Sequence, residues 1–250
     1  MAVHFEPVMG LNTIGLIERC LAMKGMLGEF DLQETPYSPT HLESVGRKLP
    51  TQHFKISDGV PELGCRLTSI EKTESIHIQN NRFSVTWVRQ ADGQYPRYDT
   101  LKPAFFEKLN IFTEGEGLSK LNLVINQCGI QYVNQVADDD SSGFSMFNFI
   151  DLGHFNQHEG LSFSTTQRLE ERGEVGRLYM EANTVFSFEA DEKGQVNEKR
   201  LLQMKLTFRG APKDNVGTFL DRGHEAIVLT FAQSLSESGR NLFKEIERAK

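Results

Sequence analysis

Two histidines four residues apart, His154 and His158, stand between Asp151 and Glu159 in the run DLGHFNQHE. On a helix that spacing would place both imidazoles one turn apart on one face, as two metal ligands require. With the nearby carboxylates they would suit a metal-assisted hydrolase or nuclease. Gly153, Asn156 and Gly160 are poor helix formers, however, and the Glu that follows the first His in zincins is missing. The run therefore reads as a polar loop, with no metal site, and His154 and His158 remain the alternative. Asp138, Asp139 and Asp140 lack the spaced ligands and distal Glu of a calcium loop and read as a solvated acidic loop. In Asp221-Arg222-Gly223-His224-Glu225, His224 could act as a base oriented by Asp221, but the apolar stripe alongside already accounts for a helix there. The chain has no G-x-S-x-G elbow, Walker loop or G-x-G-x-x-G. Thr113-Glu114-Gly115-Glu116-Gly117 is acidic and would repel phosphate. No catalytic residue and no cofactor are expected from these patterns.

A second chemistry is recognition. The single tryptophan, Trp87, lies close in sequence to Arg89, Tyr95, Arg97, Tyr98 and Phe106. Aromatic and Arg side chains together are what interface hot spots favour, and they could also stack on unpaired bases. The plainer alternative is a core face with a snorkelling Arg. Arg82, Arg89, Arg97 and Lys102 read as a solvated sheet face. The net charge of −7 argues against broad nucleic-acid binding, which needs a basic surface. The leading expectation is a non-enzymatic interaction protein that binds a protein partner or a second copy of itself through Trp87, Arg89, Tyr95, Arg97 and Tyr98.

Cys20, Cys65 and Cys128 have no paired spacing, so free buried thiols are expected rather than a disulfide framework or a zinc ribbon. The start, MAVHFEPVMG, lacks a basic region followed by an apolar run, and no apolar run approaches the ~20 residues of a membrane span. A cytoplasmic protein is expected.

These groups need a scaffold, and the hydrophobic periodicity predicts antiparallel strands with helices. Ala2–Val8 reads as a strand, and Asn12–Met26 as a helix on an Ile14, Ile17, Leu21 stripe that stops at Gly28. Residues 34–61, with four prolines, read as a connection packing Tyr37, Leu42 and Phe54. Gly64–Ile70 and Ser75–Val88 are strand-like, the second folded at Asn80-Asn81. Ala91-Asp92-Gly93 is a turn, and Asp99 or Thr100 would cap a helix from Leu101 to Phe112, with Pro103 in its first turn. Leu121–Val136 switches parity, which predicts a β-bulge near Gln127 or a break at Gly129. Beyond the acidic loop, Leu161–Leu169, Gly176–Ala190 and Leu201–Arg209 are strands, with a turn at 191–194. A helix starts at Asp214 or Asn215 and carries Val216, Phe219, Leu220, Ile227, Phe231 and Leu235. After a break at 236–239 a last helical segment carries Leu242, Phe243 and Ile246. The fold class is α+β: antiparallel sheets, each with a principal helix on one face, possibly two related modules. The expected division is an N-terminal module at 1–137, a connection at 138–160 and a C-terminal module at 161–250.

Three segments carry a resemblance: R-F-x-x-x-W at 82–87, Y-P-R-Y-x-x-L-x-P-x-F at 95–105, and N-Q-C-x-I-x-Y-x-N at 126–134. The opening VHFEPVMGL and the late FLDRGHEAIVLTFAQSL extend it, while 137–160 stays unplaced. The chain resembles a sporadically distributed family of bacterial conserved hypothetical proteins. That resemblance implies a cytoplasmic α+β accessory protein of a defence or mobile-element neighbourhood, and it supplies no catalytic residues.

Overall fold

A computed structural model describes residues 1–8, 11–36, 63–89, 96–137, 146–148, 160, 162–171, 173–190, 196–213 and 215–241. The fold is α+β with antiparallel strands, and it divides into two compact units. The first comprises Met1–Gly129, Arg172–Val175 and Arg209–Leu220; the second comprises Ile130–Glu171, Gly176–Phe208 and Asp221–Lys250. The change from one unit to the next thus falls inside a strand, after Gly129, where sequence reading places the end of the first module at 137.

The first unit contains β1 (Ala2–Phe5), α1 (Thr13–Leu27), β2 (Phe30–Pro36), β3 (Leu63–Ser69), β4 (Glu74–Gln79), β5 (Arg82–Trp87), α2 (Tyr98–Glu114) and the start of β6 (Ile125–Ala137). Its strands run in the order β2-β3-β4-β5-β1-β6. The meander β2 to β5 is sequential, and β1 fits between its last strand and β6. Successive side chains alternate faces, so one face collects Cys65, Leu67, Ile76, Ile78, Phe83, Val85, Val3, Phe5 and Cys128, all at most 1% exposed. α2 covers this face with Leu101, Phe105, Leu109 and Phe112. Phe83 stacks on Phe112 at 5.3 Å between ring centroids and meets Phe105 at 5.9 Å. Lys108 of α2 pairs with Glu74 of β4 at 3.1 Å.

Asn12 caps α1, its side chain accepting from the Gly15 amide at 3.0 Å, and Gly28 ends it at φ 83°. The buried stripe of α1 is Leu16, Arg19, Cys20 and Met23. Ile14 and Leu21, on the stripe chosen from sequence, are 69% and 54% exposed. Both stripes have helical spacing; the one that turns inward is the one whose Arg19 finds carbonyl acceptors inside. α2 begins three residues before Leu101, at Tyr98, with Arg97 as N-cap and no side-chain cap bond. Pro103 therefore lies inside the helix rather than in its first turn. The carbonyl to which it offers no amide is that of Asp99, an exposed residue.

The second unit contains the rest of β6, β7 (Ser162–Glu171), most of β8 (Glu174–Ala190), most of β9 (Val196–Gly210, with Arg209 and Gly210 in the first unit) and most of α3 (Val216–Ser234). Its order is β6-β9-β8-β7, again a meander whose last strand lies beside the first strand in sequence, followed by a helix. The order parallels that of β1, β2–β5 and α2 in the first unit. Leu202, Met204, Leu206 and Phe208 are fully buried. The Phe208 ring fills the space over two glycines: a Cβ at Gly176 would meet it at 2.1 Å and one at Gly223 at 2.5 Å. Asn215 starts α3 by accepting from the Thr218 amide at 3.1 Å. Among the described residues no helix is long and apolar enough to cross a membrane.

The expected bulge is present: Phe5 pairs with Ile125 and His4 with Gln127, so Asn126 is the extra residue. Leu121–Val124, expected in this strand, precede it without strand pairing. The expected packing of Tyr37, Leu42 and Phe54, the turns at 91–93 and 191–194, and the segment with Leu242, Phe243 and Ile246 lie outside the described residues.

Candidate binding site on the first sheet

The face of the first sheet opposite α1 and α2 is built from the other parity, and its side chains are polar. Strand register sets two adjacent rows. In one, Gln79, Arg82, His4 and Gln127 follow each other across β4, β5, β1 and β6. In the next, Arg66, His77, Ser84, Ala2 and Gly129 do the same across β3, β4, β5, β1 and β6. Polar residues of this parity ordinarily meet water. Here Gln79, Ser84 and Gln127 are buried, and His4, His77 and Arg82 are half-buried.

Part of the layer is internally satisfied. His77 Nε2 shares a hydrogen bond with Thr35 Oγ1 at 3.0 Å. Gly64 makes room for that contact, since a Cβ there would stand 2.8 Å from Thr35 Oγ1. Asn126 Nδ2 donates to Glu6 Oε1 at 3.4 Å. Four buried atoms have no hydrogen-bond partner among the described residues: His4 Nδ1, Arg82 Nε, Asn80 Oδ1 and Asn126 Oδ1. Asn80 sits in the β4–β5 turn next to Gln79, and Asn126 is the bulge residue next to Gln127. Arg82 and His4 are direct neighbours in the Gln79–Arg82–His4–Gln127 row, and Asn80 and Asn126 adjoin the two ends of that row in sequence. Buried polar atoms left unsatisfied cost about 1–3 kcal/mol each, so native structures rarely concentrate them without use.

The electrostatics point the same way. Burial lowers the Arg82 pKa, and its Nε has no hydrogen-bond partner among the described residues. Burial first, then Arg82 and Arg209, pull His4 down to about 4. Burial, then Arg82 and Arg66, pull His77 to about 4 as well. Both imidazoles are thus neutral near pH 7 and surrounded by guanidinium charge. Such a site can donate and accept hydrogen bonds and attract negative charge. A histidine with so low a pKa is a weak base, ill-suited to proton transfer at neutral pH.

The residues singled out from sequence fall elsewhere. Trp87 ends β5 on the α2-covered face, opposite Glu74, and is half-buried. Arg89 and Arg97 are exposed, Tyr98 opens α2 half-buried, and Tyr95 lies outside the described residues. So do Asp138–Asp140, Asp151, His154, His158 and Glu159. Among the described residues no group of three or more potential ligands could hold a metal ion. In the second unit, His224 Nδ1 shares a hydrogen bond with the Tyr132 hydroxyl at 2.9 Å, and Arg222 pairs with Glu171 at 3.3 Å. Arg82 is not part of a solvated face as the sequence suggests; it is the half-buried centre of the polar layer. His4, Asn80, Asn126 and Gln127 were not singled out. Their signal in the sequence, a polar residue at alternate positions of a strand, is the ordinary mark of a wetted face.

All three cysteines are free and buried. Cys20 of α1 and Cys65 of β3 share a hydrogen bond, which with burial raises the Cys20 pKa. No protein-family model, no curated protein and no solved structure matches the chain, so the site stands on its own geometry.

Proposed function

We propose that this is a non-catalytic binding protein and that its first unit recognises a ligand through the polar layer around Arg82. The observation that carries this reading is the pair of buried atoms, Arg82 Nε and His4 Nδ1, on neighbouring residues of the polar face and without a partner among the described residues. A bound molecule would satisfy them. Thermal unfolding in the presence of separate carboxylates, phosphates, nucleosides and polyols tests it. At least one class will raise the midpoint of the wild-type protein, and the rise will be reduced in Arg82→Met or His4→Gln. Equal responses of all three proteins to every class would refute the reading.

A second surface has its own support. Ile70 and Val88 are 62% and 57% exposed at the strand ends beside Trp87, where the Val88 amide donates to the Thr73 carbonyl at 2.8 Å. Exposed apolar side chains beside a tryptophan and Arg89 suit self-association of this accessory protein. Light scattering over a concentration series should show mass rising in the wild type and a constant monomer mass in Ile70→Lys/Val88→Lys. A monomer in both would remove this surface from the account.

A further inference from the structure

We propose that the ligand of the polar layer is a small anion, a carboxylate or phosphate that also carries hydroxyl or ammonium donors. This deepens the reading of the first unit as a binding module and rests on it. Four observations define the ligand. Arg82 presents an Nε–H without an acceptor among the described residues, and the burial of its guanidinium calls for a compensating charge. An anionic oxygen supplies both, in the geometry guanidinium groups favour. Arg66 and Arg209 add positive potential from β3 and β9, on either side of the Arg82–His4 pair, and reinforce the preference for negative charge. Asn80 Oδ1 and Asn126 Oδ1, adjoining the ends of the row in sequence, are buried acceptors without a partner among the described residues, and donors on the ligand would suit them. A bare apolar acid would leave both amide oxygens unsatisfied. His4 Nδ1 completes the set and can serve either as donor or as acceptor according to its tautomer.

The amide carbonyls also set a limit on charge. They repel a second anionic oxygen, so a hydroxylated or amino-bearing monoanion fits better than a polyanion. The short reach of one guanidinium agrees with a single anionic group.

The test is direct titration by calorimetry at constant ionic strength, with chloride as the balancing salt. The probes are inorganic phosphate, lactate, acetate and glycerol. Lactate represents a hydroxylated carboxylate, acetate the same charge without a donor, and glycerol the donors without charge. Saturable binding of lactate or phosphate is expected, with acetate and glycerol weaker. Lactate tighter than phosphate identifies a carboxylate source; the reverse identifies a phosphate source. Arg82→Met will weaken the better anion at least tenfold, about the worth of one charge-assisted hydrogen bond. His4→Gln keeps a hydrogen-bonding group and will weaken it less; it also serves as the test should Arg82→Met fail to fold. Glycerol binding as tight as lactate, insensitive to Arg82→Met, would overturn the anion assignment while leaving a binding site in place. No saturable binding of any probe would overturn the proposal and count against the binding reading as well.

Discussion

Arg19→Met will lower the unfolding free energy by about 3 kcal/mol, a value expected when one buried and one part-buried carbonyl lose a charged donor. α2 ends with its last carbonyls individually satisfied. The Gly115 amide takes Ile111 O at 3.0 Å, the Leu121 amide takes Thr113 O at 2.9 Å, and Arg19 Nη1 takes Phe112 O. Arg19 Nη2 also donates to Ser119 O, and the guanidinium lies 5.8 Å from the Phe112 ring centroid. One side chain from α1 therefore caps α2, pins the chain that follows it and neutralises the negative end of its dipole. Methionine keeps the stem and the packing but offers no donor. Chemical denaturation with a clean two-state transition measures the loss. A change under about 1 kcal/mol would mean that water satisfies these carbonyls once the guanidinium is gone.

Acidification from pH 7 to pH 4 will remove roughly 2 kcal/mol of stability for each of His4 and His77, after discounting a shift of ~1.4 kcal/mol per unit for partial solvent exposure. Both folded pKa values are lowered, from 6.5 to about 4. Above the unfolded value neither state binds the proton, and the contribution is fully present. As pH falls through 6.5 the unfolded chain takes up protons that the folded layer refuses, so stability drops until the folded value is reached. Carboxylates titrate in the lower part of this window, so the measurement is a difference: wild type against His4→Gln/His77→Gln. The double variant should lose distinctly less between pH 7 and pH 5. Parallel curves would show that these imidazoles protonate freely in the folded protein.

The scaffold was more legible in the sequence than the site. The alternation of Ile76, Ile78, Phe83 and Val85 gives β4 and β5, and Asn80-Asn81 marks their turn. The parity change from Ile125 to Cys128 locates the bulge, and Gly28 and Asn215 mark helix ends. α1 misleads because Ile14–Leu21 and Leu16–Met23 are both helical stripes, and periodicity alone does not say which one faces the sheet. α2 misleads at its start because Asp99 is a better cap in isolation than Arg97, while Phe105 and Phe112 packing on Phe83 helps fix the helix that forms.

The polar layer was hidden for a different reason. His4, His77, Arg82 and Gln127 come from four strands, up to 123 positions apart, and only register brings them into neighbouring rows. Arg82, Asn126 and Gln127 are visible as letters of the resemblance motifs, but nothing local in the sequence says that they share a face. His154 and His158 drew attention because their spacing is local. The groups assembled by the fold are separated in sequence and ordinary in type.

Arg82 and Arg19 make the central claim measurable, because the same substitution should act on them in opposite directions. Arg19 is buried with acceptors; Arg82 is half-buried, and its Nε has none among the described residues. Unfolding of Arg82→Met without added anion, alongside wild type and at pH 7.5, is the decisive comparison. The account predicts a variant more stable than the wild type by about 1 kcal/mol, as relief of an uncompensated charge requires, and indifferent to lactate and phosphate. A variant destabilised by as much as Arg19→Met would show that Arg82 is already satisfied within the fold and that the layer is structural.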